Sequence, residues 1–272
     1  MAMLRAAGKR ALAMTRARRL ASRHEARERR RMATMVAERA ERDRWFFTGA
    51  NLAVALFVFA GFARTYYLAP WVSQPTRAPP LTLLLHLHAL IFTAWILLGV
   101  IQPALIATGR RSLHRRLGYG GAGLAVLVWL LGNLAAVAAM KTGFREVGDP
   151  FAFYAITFFS IQAFGLIVFL AIRWRNRPET HKRMMLLSSA AILEAAVGRL
   201  PLHWVAAAAP LSFYIGADLV IAAGIFYDQA TRGRIHAVWR WGGGMLVASQ
   251  FLRIAIMSTT LWLAFAHAIA RL

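Results

Sequence analysis

The sequence predicts an all-α fold, a polytopic membrane bundle of seven transmembrane helices with its N-terminus cytoplasmic and its C-terminus outside. Three observations carry that reading. The chain of 272 residues is 59% hydrophobic, yet its formal net charge is +22. Grease and charge are segregated: residues 1–44 form a polar, Arg-rich arm, and residues 45–272 alternate long apolar runs with short loops. Those runs reach about 20 residues, the length that crosses a hydrocarbon core of about 30 Å.

The arm has the composition of a helix. Glu25 with Arg29, Glu28 with Arg31 and Glu38 with Arg42 are spaced as ion pairs on one helix surface. Such a basic helix is expected to be solvated and to hold the topology; it also suits anionic lipid or a membrane-protein partner. Nucleic acid is not expected, because residues 1–44 lack aromatics and are tethered to a membrane. No short apolar core follows the first basic residues, so a signal peptide is not expected. The stretch up to His24 is rich in Arg and Ala and lacks acidic residues, a composition that transit peptides share. The arm of a bacterial inner-membrane protein is the reading adopted.

The seven spans are 45–63, 81–106, 117–140, 151–172, 184–205, 211–227 and 241–267. The fifth is the least apolar, because it holds Glu194 and Arg199, and the sixth is short. Loop charge sets the orientation. The arm, "GRRSLHRR", "RWRNRPETHKR" and "TRGRIHAVWR" hold about 26 basic residues, against about six in the alternate set, and basic loops stay cytoplasmic. Trp45, Tyr66, Tyr67, Trp71, Trp174 and Trp241 fall near the expected interfaces.

Three basic loops share an element: "SLHRRLGYGG", "ETHKRMMLLS" and "RIHAVWRWGG". Each places a histidine (His114, His181, His236) just before a span, which suggests three related hairpins after a lone first helix. At that depth, neutral rings capping backbone or phosphates are expected rather than metal or haem ligands.

Charges within spans are costly, by about 2.5–3.5 kcal/mol each, and mark function. Glu194, Arg199, Asp218 and Arg253 are such charges. At about 1.5 Å per residue, Glu194 and Arg253 lie about 15 and 18 Å from the basic side, and Arg199 about 22 Å. Asp218 lies about 10 Å from the other side. Two acids and two bases in one layer suggest a self-neutralising network. Helix 2 brings His88 to the same level, about 10 Å in. His86, two residues earlier, points nearly the opposite way. His203 and His267 end spans on the same outer side, and Asn133 joins the layer from helix 3.

Three functions fit this layer. A b-type haem needs two axial histidines from different helices, and His88 with His203 or His267, then His86, are the candidate ligands. Arg199 or Arg253 would then meet its propionates, and quinone-linked electron transfer belongs to the same reading. A proton-coupled transporter or sensor would use the same carboxylates, histidines and arginines as a relay. A non-catalytic scaffold would use them as interhelical glue. The absence of cysteine excludes disulfides and thiolate chemistry. "GYGGAG" at 118–123 has no strand before it, so its glycines, like those of "WGGGM" at 241–245, are expected to allow close helix packing. Ser160 and Ser249 have no base at a fixed spacing, so hydrolase chemistry is not indicated.

The elements "HLHALIFTAWILL", "ATGRRSLHRRLGYGG", "ETHKRMMLL" and "YDQATRGRIHAVWRWGG" resemble those of a family of bacterial multi-pass inner-membrane proteins of no established activity. The resemblance runs from Trp45 to the C-terminus, and "LHRRLG" and "HKRMM" are its most specific parts. It implies a bacterial inner-membrane location. A looser likeness, to cytochrome b561-type membrane haem proteins, rests on histidines at helix ends and transfers no ligand to this chain.

Overall fold

A computed structural model describes residues 2–73, 81–143 and 148–272, without the side chains of residues 2–23 and 26. The described residues are helical, with no strand. The chain divides into two compact units, Met1–Trp45 and Phe46–Leu272.

Helix α1 (Ala2–Phe62) ends in a π-turn, Ala63–Tyr67. Three long helices follow: α2 (Leu83–Ala107), α3 (Arg111–Lys141) and α4 (Pro150–Arg173). Local chemistry fixes their starts. The Thr82 side chain accepts from the Leu85 N–H, and the Asp149 carboxylate accepts from the N–H groups of Phe151 and Ala152, ahead of Pro150 at the first turn. Then come α5 (Pro178–Ala190), α6 (Glu194–Val197), α7 (His203–Ala207), a 3₁₀ turn Leu211–Tyr214 and α8 (Ile215–Arg232). A second π-turn, Val238–Gly243, leads into α9 (Gly244–Ile256), and α10 (Thr260–Arg271) closes the chain.

Five helical segments are long and apolar enough to cross a membrane: Arg27–Tyr67, Leu83–Ala107, Arg111–Lys141, Pro150–Arg173 and Leu211–Arg232. A sixth is counted if Val238–Ile256 and Thr260–Arg271, bent by 86° at their junction, are one span. The fifth predicted span is divided among α5, α6 and α7. Its breaks have local causes. Ser188 turns its hydroxyl back onto the Met185 carbonyl, and the N–H groups of Ile192 and Leu193 bond three residues back, to Ser189 and Ala190. Further on, Gly198 and the Leu200-Pro201 step stop the helix again.

The main core joins α1, α2, α4, α5, α8 and the second π-turn around Phe47, Trp95, Phe164, Leu187 and Trp239. Two glycines make close approaches possible. A Cβ on Gly61 would meet the Ala196 carbonyl of α6, and one on Gly224 would meet the Trp239 ring. Within "GYGGAG" only Gly121 packs, against Leu98; Gly118, Gly120 and Gly123 face open space. In "WGGGM", Gly242 and Gly243 pack and Gly244 does not.

Candidate functional site

The end of the bundle away from the basic loops holds a cavity of about 270 Å³. It is walled by the first π-turn, α2, α3, α4 and the broken stretch around α6. Along α4 it runs from Pro150 to Ser160, about 15 Å. Most of the wall is apolar. Its polar side chains come from several helices: His88, Ser160, Glu194 and Arg199, with three tyrosines and several threonines, Thr93 among them.

Each polar residue is placed by its local structure. His88 stacks on Phe92 one turn on, with ring centroids 4.0 Å apart. Its Nδ1 is buried and has no hydrogen-bond partner. Glu194 is buried, at the first position of α6, where the break in the helix directs it into the cavity wall. Arg199 donates to the Ala195 carbonyl at 2.6 Å and lies 4.8 Å over the Phe62 ring. Arg253 sits behind Glu194, 4.0 Å from its carboxylate. It also donates to Ser160 on the cavity wall and to Ser249 at 3.0 Å, and it lies over Tyr214. So α9, α4 and α6 are cross-tied just beneath the cavity.

The eight predicted site residues separate into two groups. His88, Glu194 and Arg199 line the cavity, and Arg253 joins them from behind. The other four do not line it. Asp218 instead accepts from Gln250 at 3.0 Å, on the α8–α9 contact. His86 is exposed, with Nδ1 3.4 Å from the Tyr66 hydroxyl. His203 is exposed at the start of α7, and His267 is exposed with its ring against Phe151. His88 is therefore the one histidine on the cavity wall, and an axial pair with His203 or His267 does not form there. Asn133 serves a different contact: its side chain accepts from Gln162, whose oxygen accepts from Trp129, a polar ladder between α3 and α4.

The loop histidines are backbone partners. His181 Nδ1 lies 2.8 Å from the Ala171 carbonyl, and His114 Nδ1 lies 3.3 Å from the Gln102 carbonyl. Each ring thus ties a helix start to the last turns of the helix before it. His236 differs: its Nδ1 accepts from the Val238 N–H.

Sequence reasoning missed a second polar centre, at the basic end of the bundle. Arg183 and Asp228 are both fully buried and joined by two hydrogen bonds, one of 2.9 Å. Arg183 also donates to Glu179, and Arg232 reaches Asp228 and Glu179 at 3.1 and 3.3 Å. The His236 N–H donates to Asp228 at 3.3 Å. Burial works to raise the Glu179 pKa, but hydrogen bonds from Lys182 and Arg183 outweigh it and hold the carboxyl below its ordinary range. Burial, with Arg183 nearby, lowers His236. The signal was present in "ETHKR" and "YDQATR", but charges at a loop edge read as solvated ones.

No group of three or more His, Asp or Glu placed to hold a metal ion occurs among the described residues. Compared with protein families, curated proteins and solved structures, the chain matches none.

Proposed function

We propose that this chain is a multi-pass protein of a bacterial inner membrane that binds a small lipophilic molecule of the quinone class in its outer half. One observation carries the reading: His88, Glu194 and Arg199 all line one mostly apolar cavity. A quinone is an apolar ring and tail with two carbonyl oxygens, and such sites pair apolar walls with a few placed polar groups. The unpartnered Nδ1 of His88, whose ring is also tied to the Leu131 backbone, would accept from one hydroxyl of the quinol form. Glu194, held by Arg253, would accept the proton of a hydroxyl when the ring is bound as quinol. Arg199 would favour negative charge on the head. The haem form of the redox reading draws less support, because His203 and His267 are away from the cavity.

The topology belongs to the same proposal. The chain crosses seven times, with α5 to α7 as a broken fifth crossing and the second π-turn with α9 as the seventh. The basic arm and basic loops face the cytoplasm, and the arm rests on anionic lipid.

The test uses the full chain in lipid nanodiscs, titrated with a short-tailed ubiquinone analogue. Saturable quenching of tryptophan fluorescence is expected. His88→Phe and Glu194→Gln should each weaken it about tenfold or more, about 1.4 kcal/mol, while helical content is kept. Unsaturable quenching, or variants that bind like the parent, would sink the reading. A Soret band in the purified protein would return the site to haem.

A second reading is favoured by the break in the fifth span. Discontinuous helices at mid-membrane often frame transported solutes and coupling ions, and here Ile192, Glu194, Ala195 and Arg199 of the broken stretch line the cavity. Proton-coupled flux in proteoliposomes, abolished by Glu194→Gln, would favour a transporter.

A further inference from the structure

The last helix carries its own assignment. The second π-turn and α9 have 6 and 13 residues. At 1.5 Å per residue they rise about 28 Å, the length of a hydrocarbon core, and they are apolar enough to cross only when taken together with α10. Helix α10 then leaves at 86° to that axis. It has 12 residues, about 18 Å, too few to cross. If α9 stands across the bilayer, α10 lies along its surface.

The side chains of α10 are sorted to match. Trp262 and Ala266 are buried, and Ile269 and Ala270 pack with them on Tyr154, Phe158 and Phe159. The indole N–H of Trp262 donates to the Phe151 carbonyl at 2.9 Å, which anchors this face to α4. A second stripe is apolar and exposed: Leu261, Phe265, Ala268 and Leu272, with Leu261 82% exposed. Their spacing of four, three and four residues puts them on one line along the helix. A third stripe carries the polar groups, Thr260, His267 and Arg271, with Ala264 between them. At 3.6 residues per turn the three stripes point about 120° apart. A helix in solvent would not sort its exposed apolar and polar residues this way, and a buried one would have no polar stripe.

We infer that α10 is an interfacial helix, seated in the outer headgroup layer with one stripe on the bundle, one on lipid chains and one toward water. This rests on the reading that Val238–Ile256 crosses the bilayer. The occupant of the exposed apolar stripe is lipid, because the polar stripe beside it and the right angle to α9 match the boundary between water and acyl chains.

The chain lacks cysteine, so single cysteines report without background. The full protein is reconstituted in liposomes with lipids brominated either near the headgroup or near the chain end. Leu261→Cys, Phe265→Cys and Ala268→Cys carry a bimane probe, as does Phe251→Cys on the exposed side of α9. Shallow bromines should quench 261, 265 and 268 best, and deep bromines should quench 251 best. A water-soluble maleimide should label Thr260→Cys, Ala264→Cys and Arg271→Cys several-fold faster than the apolar stripe. Best quenching of 265 by deep bromines, with 251 also deep, overturns the inference alone, since α10 would then continue the crossing. Equal labelling of all stripes overturns it too. An apolar stripe that no bromine quenches, but that cross-links to a second copy, overturns it in favour of a protein partner. If neither bromine depth quenches 251, the crossing fails and the inference falls with it.

Discussion

Arg183 and Asp228 lie 45 residues apart in sequence and meet with neither side chain exposed, the guanidinium Nε 2.9 Å from a carboxylate oxygen. A buried pair of this kind adds little net stability over apolar residues, but breaking it exposes an uncompensated charge to a dry interior. Arg183→Leu should therefore destabilise by about 3–5 kcal/mol, toward the low end because Arg232 still reaches Asp228. The double change Arg183→Leu with Asp228→Leu should cost less than either single change. Unfolding in mixed detergent micelles measures all three.

The same centre should loosen in acid. His236 is lowered in the folded protein, so the unfolded chain binds its proton first as pH falls. Its contribution is complete above about pH 6.5 and is lost as pH drops toward the lower folded value. Glu179 is also lowered. Its contribution is present above its ordinary value and is lost at still lower pH, as pH falls through the folded one. Thermal stability should fall in two stages below about pH 6.5. His236→Asn should shrink the first stage, to which His114, also lowered by burial, contributes, and Glu179→Gln should shrink the second. Melting curves across that range are the check.

At the cavity, Arg253 is a charge partner of Glu194, 4.0 Å from its carboxylate. Arg253→Met removes that partner and should destabilise by about 1–3 kcal/mol. Glu194→Gln placed on top of it should recover part of that loss. If the second change adds to the loss, the two side chains are not coupled. A double-mutant cycle in micelles gives the answer.

Close packing predicts which glycines matter. Gly61→Val pushes against the Ala196 carbonyl, and Gly224→Val against Trp239. Each should cost about 1–3 kcal/mol through forced backbone or ring shifts. Gly118→Ala and Gly123→Ala, which lie inside α3 and meet nothing, should be neutral or stabilise by up to about 1 kcal/mol. Expression and melting temperature of the four variants separate the classes.

The long helices were legible because hydrophobic runs and turn residues are local signals. Thr82, Asp149 and Pro150 mark starts, and glycine at positive φ marks the end of α8 at Gly233. The candidate site was legible only in part. Depth along a helix is a matter of counting, so Glu194, Arg199, Arg253 and His88 were recognised as sharing a layer. Azimuth is not countable in the same way. Asp218, assigned to that layer by counting, turns to Gln250, and His203 and His267 do not line the cavity.

Sequence by itself therefore determined the helical class, the segregation of charge from grease and the position of each ionisable group along its apolar run. It did so because apolar length and helical rise depend on neighbours in the chain. Tertiary structure alone decided where the fifth span breaks, which way α10 turns, and that Arg183 pairs with Asp228. Those outcomes turn on contacts between residues far apart in the chain, whose geometry no local pattern encodes.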